Sequence, residues 1–209
     1  LGELDEARLR HAIAQLAAGV QAIHAVGKLH RDLKPSNVLV TAEGRLVILD
    51  FGLVSDPEPG GEGQTLAEER VLGTPAYMAP EQARAKGATG ASDWYAVGVM
   101  LFEALTGALP FDGHSYEILW RKQHDAAPQA SACVPGVPTD LDGLCTALLA
   151  RDANARPTEA QIEAFVHQGS TLPLSISTAP DPIVPSELIG RSAELHALRA
   201  ALHDAESGQ

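Results

Sequence analysis

A chain of 209 residues in which 45% are hydrophobic is long and apolar enough to bury one full core. Its formal net charge of -12 argues against a surface for nucleic acid or anionic lipid, because such surfaces are basic. Only two cysteines occur, Cys133 and Cys145, so neither a disulfide framework nor a zinc-ligand pattern is available. We expect both to be buried free thiols.

The most apolar stretch, residues 94–111, does not have the uniformity of a membrane span. Glu103 interrupts it, and Gly107 and Pro110 are residue types that end helices. The stretch therefore indicates a helix in a globular core. The chain does not open with a signal peptide, so a cytoplasmic protein is expected. Because Leu1 stands in place of a starting Met, we expect the chain to be part of a longer protein.

The first predicted element is an amphipathic helix over residues 5–26. Its apolar residues recur at steps of three and four, with arginines and glutamines between them. Gly27 stands where a left-handed residue commonly ends a helix.

Residues 30–37 read His-Arg-Asp-Leu-Lys-Pro-Ser-Asn and place three chemically distinct groups close together. Asp32 can accept a proton from a hydroxyl, Lys34 can neutralise a phosphate, and Asn37 can offer a neutral oxygen to Mg²⁺. Pro35 stiffens the turn that presents them. These are the groups that phosphoryl transfer to a hydroxyl requires.

Two short apolar runs, residues 38–40 and 46–49, flank a turn at residues 42–44 and predict a β-hairpin. Asp50-Phe51-Gly52 follows immediately, and residues 53–69 are rich in Gly, Pro and Glu without any period, which predicts a loop. After residues 73–81, Ser92 and Asp93 are predicted to cap a buried helix over residues 94–106. Further helices are predicted at residues 115–124, 141–150 and 158–167.

The 30–37 string, Asp50-Phe51-Gly52 and Ala79-Pro80-Glu81 together resemble the motifs of Hanks-type, eukaryotic-like serine/threonine protein kinases. The resemblance implies a mainly α fold: the helical C-terminal kinase lobe at residues 1–167, with a small β-hairpin beside the catalytic loop and the N-terminal lobe absent. Residues 168–185 are rich in Pro, Ser and Thr and read as a linker. Residues 186–209 resemble the opening of an AAA/STAND-like ATPase module.

The resemblance implies transfer of the γ-phosphoryl group of ATP, with Mg²⁺, to Ser or Thr hydroxyls of a protein substrate. Asp32 would accept the proton, Lys34 would neutralise the phosphate, and Thr74 would position the acceptor. Asn37 and Asp50 would hold the metal. The cofactor-binding residues implied are Lys34, Asn37, Leu39 and Asp50, with Leu39 packing under the adenine ring.

Other positions match structural or regulatory residues of the family. His30 and Phe51, followed by Gly52, resemble stacked side chains that register an assembled site. Asp93 would bind the backbone of the catalytic loop, and Glu81 would pair with Arg156.

In the same resemblance, residues 50–81 form an activation loop. Thr65 and Ser55 are the candidate phosphoacceptors, and phosphate there would pair with Arg31. In the alternative, Glu68 and Glu69 already supply that negative charge.

A glycine-rich phosphate loop and a strand lysine upstream of the 30–37 loop are both missing, since the lysines are Lys28, Lys34, Lys86 and Lys122. We therefore expect a kinase fragment that lacks the ATP-covering lobe and is inactive on its own. The alternative is a non-catalytic, kinase-like binding or regulatory module of a larger signalling ATPase.

Overall fold

The structure, a computed structural model, describes residues 5–41, 43–49, 75–84 and 87–169. These residues form seven α-helices, two strands and the short 3₁₀ helices Pro35–Asn37 and Ala153–Ala155. The elements in chain order are α1 (Glu6–Ala25), β1 (Val38–Val40), β2 (Leu46–Ile48), α2 (Pro80–Ala83), α3 (Gly90–Thr106), α4 (Ser115–His124), α5 (Ala130–Cys133), α6 (Thr139–Leu148) and α7 (Glu159–Gly169). The predicted mainly α fold with a small hairpin is confirmed.

Helix α1 follows the prediction closely. The Asp5 carboxylate accepts a hydrogen bond from the Arg8 N–H at 3.0 Å, which caps the first turn. Gly27 follows the helix with φ of +72°, a conformation that favours glycine. The face that carries Ile13, Leu16 and Val20 is buried, so α1 packs against α3, α7 and β2.

The hairpin pairs β1 and β2 antiparallel, with Val38 opposite Ile48 and Val40 opposite Leu46. Gln15 of α1 ties the hairpin down: its Nε2 donates to the Gly44 carbonyl at 2.8 Å, and its Oε1 accepts from the Leu46 N–H at 2.9 Å. The second strand ends one residue earlier than predicted, at Ile48.

Helix α3 is the central helix, and most of its residues are buried. It begins at Gly90, four residues before the predicted start. Ser92, the predicted cap, lies inside the first turn, where its Oγ accepts a hydrogen bond from the Thr89 N–H at 3.0 Å. The end at Thr106 agrees with the prediction, and Gly107 follows in the left-handed region with φ of +72°.

Helices α1, α5 and α6 pack on α3, whereas α4 contacts α2 and α7 contacts α1. Helix α4 has the predicted bounds, whereas α6 begins two residues before the predicted start and α7 extends to Gly169. Helix α6 packs closely on α3, and the Cys145 thiol donates to the Gly98 carbonyl there at 3.6 Å. The expectation that both cysteines are buried is wrong for Cys133, because the short helix α5 leaves it exposed.

Within the part of the chain that the structure describes, none of the helices combines the length and the apolar character needed to cross a bilayer.

Candidate functional site

Hydrogen bonds to Asp93 hold the start of the 30–37 loop in its conformation. Arg31 has φ of +68°, which is unfavourable for a residue with a side chain. The Asp93 carboxylate, only 2% exposed, accepts from the backbone N–H of His30 at 2.9 Å and from that of Arg31 at 2.8 Å. Two charge-assisted hydrogen bonds thus offset the backbone strain and fix the start of the loop.

His24, which the sequence interpretation did not include, also contacts the Asp93 carboxylate. Its Nε2 lies 2.9 Å from Asp93 Oδ2, and its Nδ1 lies 2.5 Å from Glu159 Oε1 on α7. Burial alone would lower the pKa of His24, but the bonds to the two carboxylates outweigh burial and raise that pKa. In the sequence, the only indication of a role for His24 was its place in the last turn of α1.

The Asp32 carboxylate is the point where the chemically active side chains of the loop meet. Lys34 Nζ lies 2.6 Å from Asp32 Oδ2, and the Asn37 amide Nδ2 donates to the same oxygen at 3.3 Å. Asn37 also donates to the Asp32 carbonyl at 2.8 Å. The Asp32 side chain is 24% exposed, so its carboxylate remains accessible from solvent.

Buried neighbours set the position of these side chains. Leu33, between Asp32 and Lys34, is 1% exposed and holds the loop to the core. His30 is fully buried, and its Nε2 lies 3.1 Å from the Leu49 carbonyl. The Leu49 N–H in turn donates to the Asn37 carbonyl at 2.8 Å, which joins the hairpin to the end of the loop.

Of the two predicted metal ligands, Asn37 lies within the described residues and Asp50 does not. Its two hydrogen bonds use the amide nitrogen, so the amide oxygen, the atom type that Mg²⁺ prefers, serves neither of them. No group of three or more His, Cys, Asp or Glu side chains in the described ranges is arranged to hold a metal ion. Leu39, the predicted adenine contact, lies on β1 and is 51% exposed.

Glu81 and Arg156 form a buried, two-pronged ion pair. Arg156 Nη1 and Nη2 donate to the two Glu81 carboxylate oxygens at 2.7 and 2.8 Å, and the Arg156 side chain is fully buried. The Ser92 hydroxyl also donates to Glu81 at 2.8 Å. Burial opposes ionisation of Glu81, but these bonds, that to Arg156 foremost, lower its pKa.

Lys122 of α4 is a second functional candidate that the sequence interpretation missed. It is 1% exposed and donates to three backbone carbonyls in residues 75–78, the described part of the stretch before Glu81. Its signal in the sequence was weak: it lies four residues after Ile118 and so shares the buried face of the helix.

The structure therefore brings Asp32, Lys34 and Asn37 together and places His30 and Arg31 on Asp93. Glu81 and Arg156 form a separate pair. The remaining predicted site residues lie outside the described residues: Asp50, Phe51, Gly52, Ser55, Thr65 and Thr74, together with the alternative charges Glu68 and Glu69.

Comparisons with known proteins point to the same family as the motifs. A family model described as the protein kinase domain matches residues 2–168. Serine/threonine-protein kinase PknL of Mycobacterium tuberculosis is 39% identical over 156 residues, 72% of this chain and 38% of that protein. The probable serine/threonine-protein kinase pknA2 of Bifidobacterium longum is 33% identical over 165 residues, 78% of this chain and 21% of that protein.

Serine/threonine-protein kinase AfsK of Streptomyces coelicolor is 38% identical over 169 residues, 78% of this chain and 20% of that protein. The chain thus spans between a fifth and two fifths of the length of these three relatives. The family match nevertheless covers most of the chain and includes the loop whose geometry is described above. This chain belongs to the protein kinase domain family.

Proposed function

We propose that this chain is the catalytic half of a serine/threonine protein kinase, which transfers the γ-phosphoryl group of Mg·ATP to Ser or Thr hydroxyls of an acceptor protein. The observation that supports this most directly is the convergence of Lys34 Nζ and the Asn37 amide on one oxygen of Asp32, at 2.6 and 3.3 Å. A carboxylate, an ammonium and a carboxamide within contact of each other are the donor set that the reaction needs.

In this proposal the Asp32 carboxylate orients the acceptor hydroxyl and takes its proton. Both contacts from Lys34 and Asn37 fall on Oδ2, so we assign Oδ1 to the acceptor hydroxyl. Lys34, with 22% of its side chain exposed, is assigned to neutralise charge on the phosphate. Placement and charge neutralisation account for most of the expected rate, since the protein forms no covalent intermediate.

Asn37, through its amide oxygen, and Asp50 are the proposed Mg²⁺ ligands, because oxygen ligands of this kind suit a hard cation. Lys34 and Leu39 complete the proposed nucleotide contacts. Bound Mg·ATP supplies the electrophilic phosphoryl group and part of its charge neutralisation. Thr74 is proposed to position the acceptor, and Thr65 or Ser55 to receive a regulatory phosphate.

The ATP-covering lobe is proposed to come from outside these 209 residues, because they contain neither a glycine-rich loop nor a strand lysine before the 30–37 loop. On this proposal the chain by itself is inactive. The stretch after residue 185 is proposed to begin an ATPase-like module of the same signalling protein.

The test is phosphotransfer from labelled ATP to a generic Ser/Thr acceptor protein, using a longer polypeptide that adds the nucleotide-binding lobe to this chain. Asp32→Asn removes the proton acceptor while keeping its shape. We expect kcat to fall by about 100- to 10,000-fold, the usual contribution of a general base. Chelation of the divalent metal should abolish the transfer.

Asp125→Asn is the matched control, because it removes a half-exposed carboxylate whose partner is Arg121, four residues earlier, and a surface pair of this kind contributes little. Its kcat should equal that of the unchanged protein. Equal rates for Asp32→Asn and the unchanged protein would overturn the assignment. A protein that binds partners but shows no transfer would instead be the kinase-like regulatory module.

A further inference from the structure

Lys122 lies in a buried position where lysine is rarely found. Its side chain, 1% exposed, runs from α4 beneath residues 75–78, called the seat segment below. The ammonium donates to the carbonyl oxygens of Pro75 at 2.9 Å, Ala76 at 2.5 Å and Met78 at 2.8 Å. All three N–H donors of the lysine are thus used, and each bonds to the backbone of one short segment.

Burial of this charge is unfavourable unless its surroundings offset the lost hydration. Three carbonyl dipoles offset part of that loss, and the ammonium also lies 5.1 Å from the centre of the Tyr95 ring, a cation–π distance. Burial still lowers the pKa of Lys122 to about 7, because the compensation is partial. A lysine whose sole purpose is solubility would lie at the surface.

The seat segment has further supports, and none of them replaces Lys122. The Tyr77 hydroxyl donates to Glu103 of α3 at 2.6 Å, which fixes one side chain. The Ala79 N–H donates to Gln82 Oε1 at 2.9 Å, which fixes the start of α2. Among the side chains of the described residues, only that of Lys122 bonds to the carbonyls of residues 75, 76 and 78. It therefore determines the course of that backbone.

We propose that Lys122 is a positioning residue of the acceptor site, whose three hydrogen bonds hold the seat segment in the shape that binds the acceptor protein. This inference rests on the proposed function, in which Thr74, the residue directly before the seat segment, positions the acceptor. It separates two tasks: Asp32, Lys34 and Asn37 perform the transfer, while Lys122 sets the affinity for the protein that receives the phosphate.

The experiment uses the longer polypeptide with its nucleotide-binding lobe and compares Lys122→Met and Lys122→Arg with the unchanged protein. Methionine keeps the length of the stem and removes every donor. We expect KM for the acceptor protein to rise about tenfold or more, because about 1.4 kcal/mol corresponds to a factor of ten. The value of kcat should stay within about twofold and KM for ATP should not change, since transition-state contacts are intact.

Glu117→Gln on the same helix is the control, because Glu117 is exposed and its carboxylate lies beside Gly113. All three of its kinetic constants should match the unchanged protein. An unchanged acceptor KM in folded Lys122→Met, or an equal loss of kcat, overturns the inference. If Lys122→Met does not fold, Lys122→Arg decides, because its planar guanidinium keeps the charge but cannot aim three N–H bonds from one nitrogen at three carbonyls. A threefold or larger rise in acceptor KM alone supports the inference, and an unchanged KM overturns it.

Amide hydrogen exchange of residues 76–78, the part of the seat segment that carries N–H groups, distinguishes failure of the inference from failure of the proposed function. If the unchanged protein transfers no phosphate, the proposed kinase activity fails. Faster exchange of this segment in Lys122→Met than in Glu117→Gln would still support the positioning role, whereas equal exchange would remove it.

Discussion

The two ring nitrogens of His24 lie against two carboxylates, Asp93 at 2.9 Å and Glu159 at 2.5 Å. Since the folded protein raises the pKa of His24 above the unfolded value of about 6.5, the imidazolium stabilises the fold. This stabilisation is complete below the unfolded pKa and is lost as the pH rises through the folded pKa.

His24→Gln should therefore lower the free energy of unfolding at pH 6 by about 1.5–3 kcal/mol, the size of a hydrogen bond to a charged group. The difference from the unchanged protein should shrink as the pH rises above the folded pKa. Urea unfolding followed by fluorescence measures it, because Trp94 is buried and its ring meets that of His24 edge-on at 6.1 Å.

His167→Gln is the matched control, since His167 is 62% exposed beside Glu163. Its difference from the unchanged protein should be small at every pH. A His24→Gln difference that stays constant from pH 6 to pH 9 would show that His24 acts by shape and not by charge.

At the scale of single residues, the sequence directly identified side chains that act within one short string. The resemblance to the kinase family supplied the long-range contacts of Asp93 and of the pair of Glu81 and Arg156, whereas those of His24 and Lys122 were missed. Asp32, Lys34 and Asn37 lie within six residues, so their types and spacing alone indicate a phosphoryl-transfer site. His24 and Lys122 take their roles from partners that lie 135 and 47 residues away. No local pattern encodes such a distance, because tertiary packing creates it.

The contact between helices α3 and α6 depends on a glycine. A Cβ added at Gly98 would lie 2.8 Å from the Leu148 Cβ and 3.3 Å from the Leu148 carbonyl carbon, so a backbone would have to move. Gly98→Ala should lower the free energy of unfolding by about 1–3 kcal/mol, as overpacking of a core usually does. Urea unfolding of the purified protein measures the change.

Gly143→Ala is the control on α6 itself, because no atom lies within 4 Å of an added Cβ there. Alanine is the better helix former, so this change should raise the stability by about 0.5–1 kcal/mol. Changes of the same sign for both variants would contradict the close contact between α3 and α6.

At the scale of elements, helix ends were easier to predict than helix starts. Gly27 and Gly107 end α1 and α3 because only glycine adopts a positive φ without strain. The start of α3 was misplaced because Thr89, Ser92 and Asp93 are all cap-forming residue types, and the sequence does not show which one the fold uses. The four-residue helices α2 and α5 are too short to show a period.

At the scale of the whole molecule, long-range contacts fix the candidate site. The 30–37 loop is bound to α3 through Asp93, and α3 to α7 through His24 and Glu159. Lys122 binds the seat segment to α4. Glu81, which follows in α2, is bound by Arg156 in the chain before α7. The position of the site therefore depends on the assembled helical domain and not on the loop alone.

The ion pair of Glu81 and Arg156 joins segments that are 75 residues apart. Arg156→Met leaves Glu81, 15% exposed, with Ser92 as its only side-chain donor among the described residues. Because a buried charge without its partner is costly, we expect a loss of about 3–5 kcal/mol in the free energy of unfolding. The contribution of Glu81 is present above its ordinary pKa and lost as the pH falls through the lowered folded value, so urea unfolding at pH 7 is the measurement.

A double-mutant cycle with Glu81→Gln isolates the pair, and the combined variant should lose less than the sum of the two single losses, by about 1–3 kcal/mol. The control cycle uses Arg10 and Asp140, which also form a two-pronged pair across 130 residues but with 20% and 49% of their side chains exposed. Exposure screens that pair, so its coupling should stay below about 1 kcal/mol. Similar coupling energies in both cycles would mean that the two-pronged geometry, and not burial, determines how strongly Arg156 binds Glu81.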